Sequence, residues 1–189
     1  MDAVIGDKTP DLVSAYDLSA YAGASHILTN GNGIVLTSGY RSNCVSFVNS
    51  NQVLLAYLPQ ASDDLPINKH PALTISLWVN GAANQTDRRV FSEANVNNNN
   101  PLFNIGTPNN GSGGFVDLFF RQQPTADELG QGYGNFAADT HLLSSGTAYD
   151  DTWHHLVLVQ QDDGARTLYL DGVADSLGIA AKPAGLWDV

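Results

Sequence analysis

The sequence predicts an all-β, antiparallel fold, and three observations carry that prediction. One is the segment Asp151 to Ser176, DTWHHLVLVQQDDGARTLYLDGVADS, which spells strand, turn, strand, turn and strand in succession. Another is Leu73 to Val79, LTISLWV, where residue character alternates with the period of a pleated strand. The third is that no stretch sustains a helical period, while 18 Gly and 8 Pro spread turns along the chain. A single turn of helix near Thr125 to Leu129 is the one local exception allowed for.

The Asp151 segment is the most informative. Leu156, Val157, Leu158 and Val159 are four consecutive apolar residues, two of them β-branched, which suits a central strand covered on both faces. The polar run Gln160 to Arg166, with Asp163-Gly164, reverses the chain. On the return, Leu168 and Leu170 point one way, while Thr167, Tyr169 and Asp171 point the other, toward solvent. Asp171-Gly172 then sits between Leu170 and Val173 as the residue pair that favours a two-residue type I′ turn.

Taken in order from the N-terminus, Leu12 to Tyr16, Ile34 to Leu36, Cys44 to Val48 and Val53 to Leu58 read as short strands among Gly, Asn and Ser turns. Cys44 alternates like a core residue and is expected to be a small buried hydrophobe, not a nucleophile. Ala61 to Pro71 is a surface connection. In the next strand Leu73, Ile75, Leu77 and Val79 share the face that should cover a sandwich core, which leaves Trp78 on the opposite face, either covered by a loop or edge or free to stack on a sugar ring. Asn95 with Asn97 to Asn100 makes a polar loop at one end of the fold. Phe115 to Arg121 is a strand whose Phe115, Asp117, Phe119 and Arg121 face is expected to meet solvent, with Phe119 exposed on it. Gln122 to Gly134, containing Tyr133, is a long Gly-rich loop of the kind that carries function on a rigid scaffold.

The block from Trp153 through His154, His155, Tyr169, Asp171 and Gly172, W-H-H-L-V and then L-Y-L-D-G, resembles the laminin G-like, concanavalin A-like lectin and glucanase jelly roll. Ala72 to Gly81, ALTISLWVNG, is similar to an earlier strand of that family. Asp87 to Glu93, Pro101 to Gly106 and Gly114 to Arg121 fill the strand positions between. The resemblance spans about two thirds of the chain and implies an antiparallel two-sheet β-sandwich. It also implies an opening strand that pairs late with the last one. Members bind glycans, proteins or calcium, so the fold marker is nearly silent on ligand. Relatives continue through two further strands after the L-Y-L-D-G hairpin, whereas this chain reaches Val189 soon after Gly172. The expectation is therefore one domain over 1–189 whose C-terminal strands are trimmed, replaced by the N-terminal segment, or completed by a partner.

Length and charge restrict the function classes. A chain of 189 residues suits one sandwich domain with enough core to stand without staples, and one cysteine excludes an internal disulfide. The net charge of −11, from 8 basic and 19 acidic residues, argues against a nucleic acid partner, which requires cations to displace counterions. No apolar run is long enough to cross a bilayer as a helix, so no membrane insertion is expected, and the Met1-Asp2-Ala3 start shows no secretory signal. The compartment is left open by these features, the candidates being an extracellular or cell-surface location as part of a larger protein, or a virion.

Enzymatic chemistry is not expected. A glycosidase needs two placed carboxylates, and the E-x-D-x-E strand of the glycosidases with this fold is absent, since Glu93 and Glu128 are the only glutamates and lie far apart. Asp139, Asp150, Asp151, Asp162 and Asp163 fall in turns, where burial would not raise their pKa. His154 and His155 are adjacent on a strand and point to opposite faces, so they cannot chelate one ion with His141; one of them should bond a neighbouring backbone group or carboxylate. Calcium is the candidate cofactor, with Asp87 and Asn97 supplying hard oxygens, although Arg88 beside Asp87 weakens that site. The leading expectation is a non-catalytic module that recognises a glycan or protein surface through Trp78, Asn97, Phe119 and Tyr133. The competing expectation is a structural protein of an assembly, such as a virion decoration or fibre protein, in which the chain meets copies of itself or neighbouring subunits.

Overall fold

A computed structural model describes residues 8–9, 18–22, 26–27, 34–41, 43–47, 52–55, 72–94, 101–111, 113–120, 140–162 and 165–175. Every regular element among them is a strand, and every strand pairing is antiparallel. The chain divides into two compact units, Met1–Asp64 and Leu65–Val189.

In the first unit β1 (Lys8–Thr9), β2 (Leu18–Ala22), β3 (His26–Ile27) and β6 (Gln52–Leu55) form one sheet in which β2 pairs with the other three. A separate hairpin joins β4 (Ile34–Ser38) to β5 (Asn43–Phe47). Cys44 on β5 is half-buried, and its thiol donates to the Ser38 carbonyl at 3.8 Å, so it is less enclosed than its alternation suggested. The expected strand at 12–16 lies outside the described residues.

The second unit is a sandwich. β8 (Arg89–Ala94), β9 (Pro101–Gly106), β10 (Phe115–Phe120) and β11 (Thr140–Thr147) make a four-stranded meander, each strand beside the next. β7 (Leu73–Val79), β12 (His154–Gln160), β13 (Arg166–Leu170) and β14 (Val173–Ala174) form the other sheet, where the chain returns from the meander to lay β12 between β7 and β13. Both sheets contribute to a single apolar core: Val79, Leu156, Leu158 and Leu168 from one, Phe103, Ile105, Val116 and Leu118 from the other. Burying a side chain of this size contributes about 1.5–3 kcal/mol, so this shared layer is what holds the two sheets face to face.

Local sequence sets the second sheet well. Along β7, Leu73, Ile75 and Leu77 are half-buried and Val79 is buried, whereas Thr74, Ser76 and Trp78 are exposed. Asp171 and Gly172 both adopt positive φ, 50° and 83°, the pair of values a type I′ turn requires. β12 departs from expectation in one respect. Leu156 and Leu158 are buried, but Val157 and Val159 are only half-buried, so the strand is covered fully on one face. It is central because strands flank it, not because both faces are enclosed.

β11 was not among the expected strands. Its Ser144, Ser145 and Gly146 break the apolar alternation, and its place is set by β10, from Phe120↔Thr140 to Asp117↔Leu143. The register shifts between Phe115 and Asp117. The Val116 amide there donates to Ser144 Oγ at 2.8 Å, and that hydroxyl donates on to the Gly146 carbonyl at 2.6 Å, so a buried serine partners the buried Val116 amide at the bulge. Asp175, just after β14, accepts from the Ser145 and Gly146 amides at 2.9 Å each and from Ser145 Oγ at 2.9 Å, tying β11 to the other sheet. Burial opposes the charge of Asp175, yet these donors outweigh it and hold its carboxyl below the ordinary value.

Candidate functional site

The site grows from β10. Val116 and Leu118 point into the core and are fully buried, which sends Asp117 and Phe119 to the other face of the same sheet. That face is not open to solvent, and here the sequence expectation is corrected: Phe119 is only 6% exposed and Asp117 7%. Phe119 is not a protruding platform. It lies in register between Asn104 of β9 and His141 of β11, with its ring centroid 4.9 Å from the imidazole of His141.

Opposite Asp117 on β9 stands Gly106. A side chain there is impossible as built, because a Cβ would fall 2.1 Å from the Arg88 carbonyl oxygen. Thr107 locks this close approach. Its amide donates to the Arg88 carbonyl at 2.8 Å and its Oγ1 accepts from the Arg88 amide at 2.9 Å. A cleft of about 220 Å³ lies over this face. Asp117, Phe119 and His141 line one part of it, Asn104, Gly106 and Thr107 another, and Asp87, Arg88, Arg89 and Asn109 the rest. Adjacent residues of a regular strand face apart. Arg88 precedes β8 and borders the cleft with its backbone held by Thr107, and the β8 register slips between Arg89 and Phe91.

The charges in the cleft are arranged unevenly. Asp117 Oδ2 meets His141 Nδ1 at 2.8 Å, while Asp117 Oδ1 is buried with no hydrogen-bond partner among the described residues. Burial pushes the Asp117 carboxyl up; the His141 bond and charge pull it back in part, and nearby Asp87 adds to the rise. The Tyr149 phenol is likewise buried without a partner, and burial together with the Asp117 charge pushes it far above the ordinary tyrosine value. Arg89 is engaged on two of its nitrogens. Its Nη2 lies 3.2 Å from Asp87 Oδ1, and with the Asn104 amide oriented to donate to Ser92 Oγ and the Phe103 carbonyl, Asn104 accepts from Arg89 Nε at 3.1 Å.

Of the other residues singled out from sequence, Trp78 lies elsewhere. It sits on the outward face of β7, 44% exposed, with its ring stacked on His155 at 4.7 Å between centroids and 19° between planes. His155 Nε2 also pairs with Ser76 Oγ at 2.8 Å. Since Trp78 and Phe119 belong to the outward faces of different sheets that share one core, they cannot serve one ligand unit. Asn97 and Tyr133 lie outside the described residues, as does the Asn97 to Asn100 run proposed for calcium. Asp87, the other calcium candidate, adopts φ 48° and is paired with Arg89; among the described residues no three of His, Cys, Asp and Glu cluster as a metal site.

His154 and His155 do face apart. His154 Nδ1 lies 2.8 Å from Asp171 Oδ2, and its Nε2 lies 3.0 Å from Asp150 Oδ1 and 2.9 Å from Thr152 Oγ1, an arrangement that favours the protonated ring. Its pKa is raised, first by Asp171 and then by Asp150, against the effect of burial. The carboxyls are lowered in return: Asp171 by the His155 amide at 2.8 Å and then by His154, Asp150 by Thr152 and then by His154. Tyr169 and Trp153 are half-buried beside this network. These contacts are structural, joining the loop before β12 to the turn after β13.

Asp117 was missed because it was read as part of a wet face. One signal was available: a carboxylate inside FVDLFF, with an apolar residue on either side, is an unusual occupant for a strand that has neighbours on both sides.

A two-sheet antiparallel sandwich with a polar cleft on an outward sheet face defines a β-sandwich binding module. Residues 56–184 match the family model described as the concanavalin A-like lectin/glucanases superfamily, and the chain belongs to that family. The match takes in both sheets of the second unit, from β7 to β14. Comparison with curated proteins and comparison with solved structures each give no match.

Proposed function

We propose that the protein is a non-catalytic recognition module that binds a glycan in the cleft over β8–β11. The observation that carries this reading is the cleft of about 220 Å³ itself, where a carboxylate, amides and a hydroxyl are gathered beside the aromatic ring of Phe119 on an outward sheet face. The part of the Asp117 side chain that remains accessible, together with Asn104, Thr107 and Asn109, gives the cleft a polar lining suited to hydrogen-bonding sugar hydroxyls. Around it the cleft offers what sugar sites use: an apolar ring edge from Phe119, an amide from Asn109 and the hydroxyl of Thr107.

Recognition is favoured over hydrolysis by the second carboxylate. Asp87 is committed to Arg89, whereas a glycosidase keeps two carboxyl groups available across the scissile bond. The test is calorimetry against a polysaccharide panel, with the products of long incubation run by chromatography. Binding should weaken about tenfold or more in Asp117→Asn, stay unchanged in Trp78→Ala, and leave the glycans uncut. A panel on which nothing binds, or on which Trp78→Ala and not Asp117→Asn loses affinity, rejects this assignment.

A further inference from the structure

Resting on the reading that this cleft takes a sugar, we propose that His141 Nε2 is the atom that meets it, accepting from a hydroxyl of a neutral saccharide, and that Asp117 is the positioning residue that keeps this nitrogen free of a proton. His141 stands opposite Phe119 in the β10–β11 register, and Asp117, two places back on β10, reaches it diagonally, with Oδ2 at 2.8 Å from Nδ1. An ionised carboxylate only accepts, so the neutral imidazole carries its proton on Nδ1 and its lone pair on Nε2. The Asp117 side chain is 10% exposed and that of His141 50%. The Nδ1 edge of the ring faces the carboxylate, and Phe119 lies 4.9 Å from the ring centroid, inclined at 51°, so the exposed half is the opposite edge, which carries Nε2. No group among the described residues bonds that nitrogen.

A carboxylate is a costly brace at this position. One of its oxygens is enclosed without a partner, which costs about 1–3 kcal/mol. What the charge adds is direction. A hydroxyl or an amide beside Nδ1 could donate as readily as accept and would leave the tautomer open, whereas the carboxylate fixes it and makes Nε2 the stronger acceptor. His154 provides the contrast: its Nδ1 is bonded to Asp171 and its Nε2 to Asp150 and Thr152, so neither nitrogen is left for a ligand. The chemistry of the guest follows from the lone pair. An unprotonated nitrogen accepts from a hydroxyl and has no proton to give a carboxylate or a phosphate, so this contact favours a neutral sugar position over an anionic one.

The experiment uses the whole chain with isotope-labelled histidine rings at about pH 8, above the ordinary histidine range. Nitrogen NMR of the free protein should show His141 protonated on Nδ1 and bare on Nε2; a proton on Nε2, in the other tautomer or in the imidazolium, would overturn the proposal. Neutral gluco-, manno-, galacto- and xylo-oligosaccharides of equal length are then titrated by calorimetry and NMR. The sugar that binds should move the Nε2 resonance and leave Nδ1 protonated. His141→Ala should lower its affinity about five- to tenfold, the worth of one hydrogen bond. A singly deoxygenated analogue that loses the same factor on the wild type should lose nothing further on that variant. Asp117→Asn, whose amide can donate to Nδ1, should raise the population protonated on Nε2 and weaken binding together. Binding that leaves Nε2 unmoved, or that His141→Ala does not weaken, would overturn the His141 contact while leaving a sugar-binding cleft in place. Weaker binding in Asp117→Asn with the tautomer unchanged would put Asp117 itself against the sugar and overturn its positioning role. Absence of binding to every sugar would remove the cleft reading, and this contact with it.

Discussion

Two carboxylate and imidazole groupings in the second unit use the same chemistry under different enclosure, and their carboxyls shift in opposite directions. Asp150, His154 and Asp171 lie near solvent, and every ionised group there has a partner. Asp117 and His141 share one bond across a sheet face where the carboxylate is buried and half satisfied. In the first grouping hydrogen bonds dominate and both carboxyls are lowered; in the second desolvation dominates and the carboxyl is raised. The difference teaches that a His–Asp contact alone says little about a site. What the remaining lone pairs meet decides whether the pair is a brace or a receptor.

The contrast can be broken most severely at the strand that isolates Asp117 from the core. Leu118 is fully buried beside it, and Leu118→Ala should lose about 2–5 kcal/mol in urea denaturation, with the cleft lost alongside. A loss under about 1 kcal/mol would mean β10 is not the packed centre of its sheet. Next in size, Asp171→Ala removes the bonds to His154 and to the His155 amide and puts a less tolerant residue at positive φ, so about 1–2 kcal/mol should go. Asp171→Asn should restore much of this, since an amide oxygen still accepts from His155 and Asn tolerates the turn.

Asp117→Asn sharpens the comparison by changing pH dependence more than stability. Because the folded carboxyl is raised, the folded protein holds more protons than the unfolded one between the ordinary value of 3.8 and the raised value, and stability falls as pH rises through that window. The variant should lack this slope and stay within about 1 kcal/mol of wild type at neutral pH. Asp150 and Asp171, being lowered, contribute the reverse: their stabilisation is present above 3.8 and lost as pH falls through the lowered values. Thermal melts from pH 3 to 7 on both proteins distinguish the two slopes. The smallest effect belongs to His154→Gln. A raised imidazole stabilises fully below 6.5 and stops doing so as pH rises through its folded value, so the variant should be weaker by less than about 1 kcal/mol in mild acid and equal to wild type in base. An equal loss at every pH would show that packing and not charge is at stake.

The legibility of these regions in sequence differed for a physical reason. The β12 to β14 ribbon is specified by neighbours in the chain: an apolar run, a reversing segment and Asp171-Gly172 with both φ values positive. Trp78 could be placed on the outward face of β7 from alternation alone. The β8 to β11 sheet depends on what lies across it. Whether Phe119 is exposed is decided by Asn104 and His141, residues 15 and 22 positions away that only the register brings beside it. Asp117 stands opposite Gly106 and is reached by His141, and neither fact is written within β10. The bulges at Phe115 and at Arg89 shift residues by one place, which alternation read along a single strand cannot anticipate.

Gly106 has a last consequence. The missing methyl group admits the Arg88 carbonyl, so the segment entering β8 can lie directly against β9 at the position that faces Asp117. Elsewhere in the cleft, recognition and folding can be tuned separately by evolution or design. Here they are coupled through the backbone: any larger residue would push Arg88 and its two bonds to Thr107 outward, so variants at 106 should unsettle the segment that forms one wall of the cleft.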